Sequence, residues 1–354
     1  MTSKERIRAA LARKPVDRLP ASMNCVQTTW ENLMKHFNVD NIDAVQEILN
    51  IDTRIMDLPP FIGKRNPDYV NADGETVKHH PMGYGYVDKW NGVEFNSHVV
   101  DYPLDYIETW EDFYAYDKWV NPDDFDYDAV TAFCDKHADK AIRIGWPGPY
   151  QNITHLMSAE KFYIMMIEEP EIIQAILDRH CDSTLEIYRR MFVASGDRID
   201  FMKVCDDYGT QTSLLFSVDM WEEFFAKNTK RYVKLCHEHN AFYMQHSCGA
   251  IRQIIPNIIA CGADALEPIQ KVVGMEPAGL KKDFGDKLCF QGGVDTQYIL
   301  PQGTPEEVLA ETLNVIKGFD AINNSGYILA SSQDLEGDVS VENIIAMFSA
   351  RDYI

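Results

Sequence analysis

Basic residues are scarce in this chain. Its 354 residues hold 33 lysines and arginines against 55 aspartates and glutamates, a formal net charge of −22. Such a surface repels phosphate backbones and anionic lipid headgroups, so nucleic acid and membrane are poor partners. A polyanionic substrate would need a local basic pocket, and a neutral ligand or a basic partner protein fits better. Eight cysteines are present, at 25, 134, 181, 205, 236, 248, 261 and 289, and none forms a C-x-x-C pair. Free thiols in a reducing cytoplasm are the simplest expectation. No run of about 18 apolar residues exists, which excludes a spanning helix. The opening "MTSKERIRAALARKP" is charged and amphipathic, without an apolar signal core. Also missing are a Gly-x-Gly-x-x-Gly turn, a phosphate loop, low-complexity stretches and fixed-period repeats, so a dinucleotide fold is disfavoured.

What is present is ordinary in bulk and regular in order. Hydrophobic residues make up 45% and charged residues 25%, as in soluble globular proteins. A chain this long buries a large core unaided, so any metal site is expected to be catalytic rather than structural. Short aliphatic runs end in Gly, Asp or Ser, and helical patterns follow them. The runs are "AIRIG" (141–145), "FMKVC" (201–205), "FYMQHS" (242–247), "ADALE" (263–267), "LCFQGG" (288–293) and "GYILASS" (326–332). Helical spacing marks 158–196 and 217–240, and 304–319 opens with Thr304 as N-cap and Pro305 in the first turn. "RLPASMN" (18–24) and "DTRIMD" (52–57) bring the strand count to eight.

Alternating strands and helices imply a parallel sheet. Eight strands point to one (β/α)8 TIM barrel spanning 1–354 as a single domain, since such barrels often exceed the usual domain length. Residues 60–135 break the rhythm and read as hairpins, an insertion expected to cover one barrel mouth.

Barrel active sites lie at the C-terminal ends of the strands. There the sequence places Gly145-Trp146, Cys205-Asp206-Asp207, His246 with Cys248, Glu267, Gln291 with Asp295, and Ser331-Ser332-Gln333. His246 and Cys248 are two apart, so on a strand both side chains emerge on one face. Glu267 ends the next strand, and adjacent strands are about 4.8 Å apart. Zinc accepts imidazole, thiolate and carboxylate together and keeps an open position in catalytic sites. A lone H-x-C pair is equally a packing detail, because cysteine is often buried as a small hydrophobe. Glu267 strengthens the metal reading, because a carboxylate there must be solvated or paired.

The strings "HSCGAIRQIIPNIIACGADALEP", "DDYGTQTSLLFSVDMWEEFF" and "LCFQGGVDTQYILPQGTPEEV" resemble the uroporphyrinogen decarboxylase superfamily. Within it the chain looks more like the cobamide-dependent methyltransferases. The likeness covers most of the chain and is strongest from about residue 140 onward. It implies a TIM barrel, a catalytic zinc on His246 and Cys248, and a corrinoid protein as partner. Glu267 lies where more distant zinc methyltransferases place a carboxylate ligand. Relatives often dimerise, so a homodimer is a further expectation.

Two departures shape the functional expectation. The decarboxylases grip substrate carboxylates with an N-terminal arginine-rich motif, and "DRLPASMNCVQTTW" has no comparable cluster. Thiol-methylating relatives supply a further cysteine ligand from the last strand, where "GYILASSQDLEG" offers Ser331 and Ser332. A zinc with fewer thiolates is a stronger Lewis acid, suited to polarising an oxygen. The expected activity is therefore transfer of a methyl group from a methoxy compound, an aromatic ether above all, to the cobalt of a corrinoid protein. Thiol methylation, a metal-free lyase and a non-catalytic binding protein are the alternatives.

Supporting residues follow from the same frame. Asp207 or Tyr208 is the expected proton or hydrogen-bond partner for a phenol oxygen, with an N-cap or Asx turn as the bland alternative. Trp146 and Tyr150 would wall an aromatic substrate, or simply pack. Gln291, Asp295 and Ser331 would line the substrate, although Asp295 also fits a helix cap. His79 and His80 read as surface histidines, with lid contacts as the alternative, and Cys205 and Cys289 as packing residues, the latter a remote further ligand.

Overall fold

A computed structural model describes residues 1–323 and 325–354. Among the described residues eleven strands form two sheets: β1 (Thr53–Met56), β2 (Tyr69–Val70), β3 (Thr76–His79), β4 (Gly85–Trp90), β5 (Phe95–Asp101), β6 (Ala141–Ile144), β7 (Ile199–Cys205), β8 (Phe242–His246), β9 (Ala265–Ile269), β10 (Cys289–Gly292) and β11 (Tyr327–Ile328). The larger is a curled parallel sheet in the order β1-β6-β7-β8-β9-β10-β11. Helices connect its strands from β6 onward, as parallel neighbours require.

The expected runs at 52–57, 141–145, 201–205, 242–247, 263–267, 288–293 and 326–332 all lie on strands of this sheet. "RLPASMN" does not form a strand of its own. Its residues bridge the sheet's two edges instead. Ala21 makes a single parallel bridge to Leu329, Ser22 N–H donates to Leu329 O at 3.0 Å, and Asp52 N–H donates to Ala21 O at 2.9 Å. Pro20 has no N–H to extend that ladder.

The helical patterns are real but interrupted. The long stretch becomes Ala159–Glu168 and Pro170–Ser195, because Pro170 forces Glu169 out of the helical region (φ −135°, ψ 57°). The next breaks at Phe225 into Val218–Phe224 and Ala226–Glu238. Thr304 caps Pro305–Gly318 with a reciprocal box to Glu307.

Inside the curled sheet the side chains stack in layers. At the N-terminal end Ala141, Phe201, Met244, Ala265, Cys289 and Ile328 pack against Ile7, Ala10 and Leu11 of the helix Ser3–Leu11. Cys289 belongs to this plug and takes no part in the site. Two residues further along, the same strand faces present Arg143, Lys203, His246, Glu267 and Gln291, all buried. An apolar floor thus carries a polar second layer, which burial tolerates only if its members pair.

Residues 69–101 form the second sheet, antiparallel, in the order β2-β3-β4-β5. Of the stretch 60–135 read as hairpins, only this part is strand; Trp110–Ala115 and Asp128–Lys136 are helices. Tyr84 packs against His155 with the rings tilted and their centroids 4.9 Å apart, and Leu104 N–H donates to Leu156 O at 2.8 Å. His79 and His80 are not surface histidines: His79 is buried, and His80 stacks on Tyr84 at 4.6 Å. No helix among the described residues is long and apolar enough to cross a membrane.

Candidate metal centre

Three side chains offer ligand atoms within 4.8 Å of one another: Asp207, His246 and Cys248. His246 ends β8, Cys248 follows two residues later, and Asp207 lies just past β7. His246 Nε2 is 3.3 Å from Asp207 Oδ1 and 3.7 Å from Cys248 Sγ. Cys248 N–H also donates to Asp207 Oδ1 at 2.8 Å, which ties the two loops together. The turn after Cys248 demands glycine. Gly249 has φ +89°, and a Cβ there would meet the Gly209 carbonyl carbon at 2.5 Å.

Glu267 is close to the cluster but on the other side of the ring. Its Oε2 lies 2.5 Å from His246 Nδ1. Lys203 Nζ approaches that same oxygen at 3.4 Å. Burial opposes ionisation of Glu267, but Lys203 and His246 outweigh it and hold the carboxyl near pKa 2. Burial likewise opposes a charged His246, and Glu267 together with Asp207 raises its pKa well above the ordinary value. Burial raises Cys248, only partly offset by His246. For Asp207 burial is again the opposing force, and His246 with the Cys248 N–H brings it below the ordinary carboxylate value.

This donor set fits a cation. Two ligand atoms on one tetrahedral zinc lie roughly 3.4–3.6 Å apart, given bond lengths near 2.1 Å to N and O and 2.3 Å to S. The measured 3.3 Å and 3.7 Å match that spacing. Three protein ligands also leave a fourth position open, as catalytic zinc requires. A cation would hold the Cys248 sulfur as thiolate, which burial alone resists. Glu267 on Nδ1 completes the carboxylate–imidazole arrangement that orients a ligating histidine.

The other expected residues divide. Asp207 joins the cluster, whereas Tyr208 does not. Tyr208 is fully buried, donates its hydroxyl to Asp206 Oδ2 at 2.8 Å and packs among Tyr150, Phe216, Trp221 and Phe225. Burial pushes Asp206 up to about 7, against the N–H of Gln151 and that hydroxyl. Tyr150 is buried in the same aromatic group and bonds Tyr163 through their hydroxyls at 2.6 Å. Trp146 is half-buried, and its backbone N–H donates to the Tyr188 hydroxyl at 3.1 Å. Gln291 and Ser331 line a polar cavity of about 20 Å³ together with Arg143, Lys203 and Glu267. Asp295 accepts from Gln297 N–H at 2.9 Å in an Asx turn. Cys205 is buried at the end of β7.

One further residue reaches the centre, which the sequence places at the end of the last run without assigning it a role. Gln333, just past the last strand, donates Nε2–H to Cys248 Sγ at 3.1 Å. A polar run ending that strand, "SSQD", was the available signal.

The family model described as Uroporphyrinogen decarboxylase (URO-D) matches residues 93–353. The chain belongs to the URO-D family. Its curated relatives include methylcobamide:CoM methyltransferase MtaA of Methanosarcina barkeri, 24% identical over 214 residues, 60% of this chain. The same enzyme from the Fusaro strain is 23% identical over 214 residues. The match spans 58% of the length of these relatives. Among solved structures, a methyltransferase from Methanosarcina mazei superposes with a TM-score of 0.70 and 19% identity, covering 100% of this chain and 99% of that one. That likeness is one of fold, and it runs over the whole of this chain, including the part before residue 93.

Proposed function

We propose that this chain is a zinc-dependent methyltransferase. It takes the methyl group of a methoxy compound, with an aromatic methyl ether the favoured class, and passes it to the cobalt of a corrinoid protein. The observation that carries the reading is the Asp207–His246–Cys248 cluster, set in a URO-D-family fold whose relatives include methylcobamide-dependent enzymes. In this reading those three residues hold the zinc, and Glu267 orients the imidazole. Zinc, when bound, supplies a Lewis acid beside the ether oxygen and stabilises the charge that develops there.

The chain's own residues set the character of that site. Asp207 contributes an oxygen donor where a second thiolate would soften the metal. Gln333 draws charge from the Cys248 sulfur through its N–H, which weakens the sulfur as a donor. Both choices favour an oxygen substrate over a thiol. In this reading Trp146 is the aromatic contact for the substrate, Tyr150 stays in the buried aromatic group around Tyr208, and Gln291 and Ser331 line the polar cavity beside Glu267.

The fold reading that accompanies this proposal is a closed eight-stranded barrel, with residues 20–22 as the segment between β11 and β1 and β2–β5 over the mouth. The hydrogen bonds of Ala21 and Ser22 to both sheet edges support closure. A URO-D decarboxylation is disfavoured by the arginines near the N-terminus, since Arg6 and Arg18 are both committed to Asp52 at 2.7 Å. The free cysteines suit a cytoplasmic setting.

A second reading has one observation in its favour: the curated relatives act on CoM, by their names. One experiment separates the two. Zinc-loaded protein is mixed in one arm with a reduced corrinoid protein and a panel of methoxyarenes, and in a second arm with a methylated corrinoid protein and a thiol such as CoM. Methylation of the corrinoid with release of a phenol is expected. Methylation of a thiol without phenol release reverses the direction of transfer, and no transfer to either acceptor overturns the activity.

A further inference from the structure

We infer that Lys203 is a positioning residue which pins Glu267 onto Nδ1 of His246 and keeps that carboxylate off the metal. The inference rests on the reading that His246 is a metal ligand.

The three residues come from three adjacent strands, Lys203 on β7, His246 on β8 and Glu267 on β9. They are 5%, 6% and 6% exposed. Lys203 Nζ and His246 Nδ1 meet the same atom, Glu267 Oε2, at 3.4 Å and 2.5 Å. A carboxylate in this position has two competing uses. It is a competent zinc ligand in its own right, and it is an acceptor for the far nitrogen of a ligating imidazole. Lys203 biases the choice, because its charge is held 3.4 Å from the same Oε2 that bonds Nδ1 and so favours that placement of the carboxylate.

An ammonium at this depth needs a partner, and the surroundings of Lys203 offer Glu267. A buried ammonium is costly unless paired. Glu267 is the one ion-pair partner of Lys203 among the described residues. Arg143, which lines the same cavity, repels it. The cavity of about 20 Å³ has room for about one water, far from a hydration shell. An apolar side chain would pack there at lower cost, as Phe201 does two residues earlier on the same strand face.

The test uses Lys203→Met, Lys203→Arg, Glu267→Gln and the double variant Lys203→Met/Glu267→Gln. Zinc affinity is read by chelator competition, and ligand geometry by the visible absorption of the cobalt(II)-substituted proteins. Lys203→Met is expected to change the cobalt spectrum and weaken zinc binding by about 10–100-fold. Lys203→Arg restores both. Adding Lys203→Met to Glu267→Gln produces no further change, since the lysine acts through the carboxylate. The double variant also removes both buried charges, so it carries the test if Lys203→Met alone does not fold. Unchanged affinity and spectrum in Lys203→Met, or additive losses in the double variant, overturn the inference. A wild-type protein that binds neither zinc nor cobalt overturns the metal reading beneath it.

Discussion

Gln333 Nε2 lies 3.1 Å from Cys248 Sγ and joins loops 85 residues apart in sequence. An amide thus stands beside the sulfur where a second thiolate could have been. The first prediction follows. Gln333→Cys should add a sulfur ligand, tighten zinc binding and shift activity from methyl ethers toward thiols. X-ray absorption at the zinc edge should count one more sulfur than in wild type. An unchanged sulfur number means that residue 333 does not face the metal.

The geometry assigns different tasks to the two carboxylates at His246. Asp207 faces Nε2 at 3.3 Å and Glu267 faces Nδ1 at 2.5 Å. Asp207→Asn should therefore cost more metal affinity than Glu267→Gln, whose loss should be about 10–100-fold. His246→Ala should abolish zinc binding and turnover while the protein stays folded by circular dichroism. The reverse ranking of the two carboxylate variants would make Glu267 the ligand.

Tyr208 is a test of position against proximity. It follows Asp207 in the chain, yet its hydroxyl serves the buried Asp206 at 2.8 Å. Removing that donor leaves a buried carboxyl less satisfied. Tyr208→Phe should lower unfolding stability by about 1–3 kcal/mol. Methyl-transfer kcat should change by severalfold only. A drop beyond about 100-fold, near 2.7 kcal/mol of barrier, with unaltered stability would move Tyr208 into the chemistry.

His180 lies wholly buried in the helix Pro170–Ser195, and its Nε2 has no partner among the described residues. Burial, helped by Arg179, depresses its pKa from 6.5 to about 4. The unfolded chain therefore takes up this proton first as pH falls. Stability from His180 is fully present above pH 6.5 and is lost as pH drops toward 4, on the order of 3 kcal/mol in all. Denaturant unfolding of wild type and His180→Leu at pH 7.5 and pH 4.5 checks this. The wild type should lose more stability than the variant across that interval. Equal losses would show that His180 is not buried neutral.

Much of the fold was legible because its elements obey local periodicities. Aliphatic runs and helical spacing marked seven strands of the parallel sheet, and Thr304 with Pro305 marked a helix start that the capping box bears out. "RLPASMN" was harder, since a segment that touches two sheet edges through single bridges has no run of ladder bonds behind it. His79 and His80 were misread as surface residues because burial in a hairpin depends on what packs over it, here Tyr84 for His80. Lys203 had a signal that could have been used. It is the one charged residue in "FMKVC", on the same strand face as Phe201 and Cys205.

Sequence by itself determined that His246 and Cys248 stay near each other, two residues apart at a strand end, but Cys248 falls just past β8, so its approach to the imidazole is set by the turn at Gly249 and not by strand alternation. It also determined the alternation of strand and helix and the acidic surface. Only the tertiary structure decided which carboxylate faces which nitrogen of His246. That depends on the stagger between β7, β8 and β9, where Cys205 is opposite His246 and His246 opposite Glu267. Such a register is set by packing between strands far apart in the chain, and no local pattern encodes it.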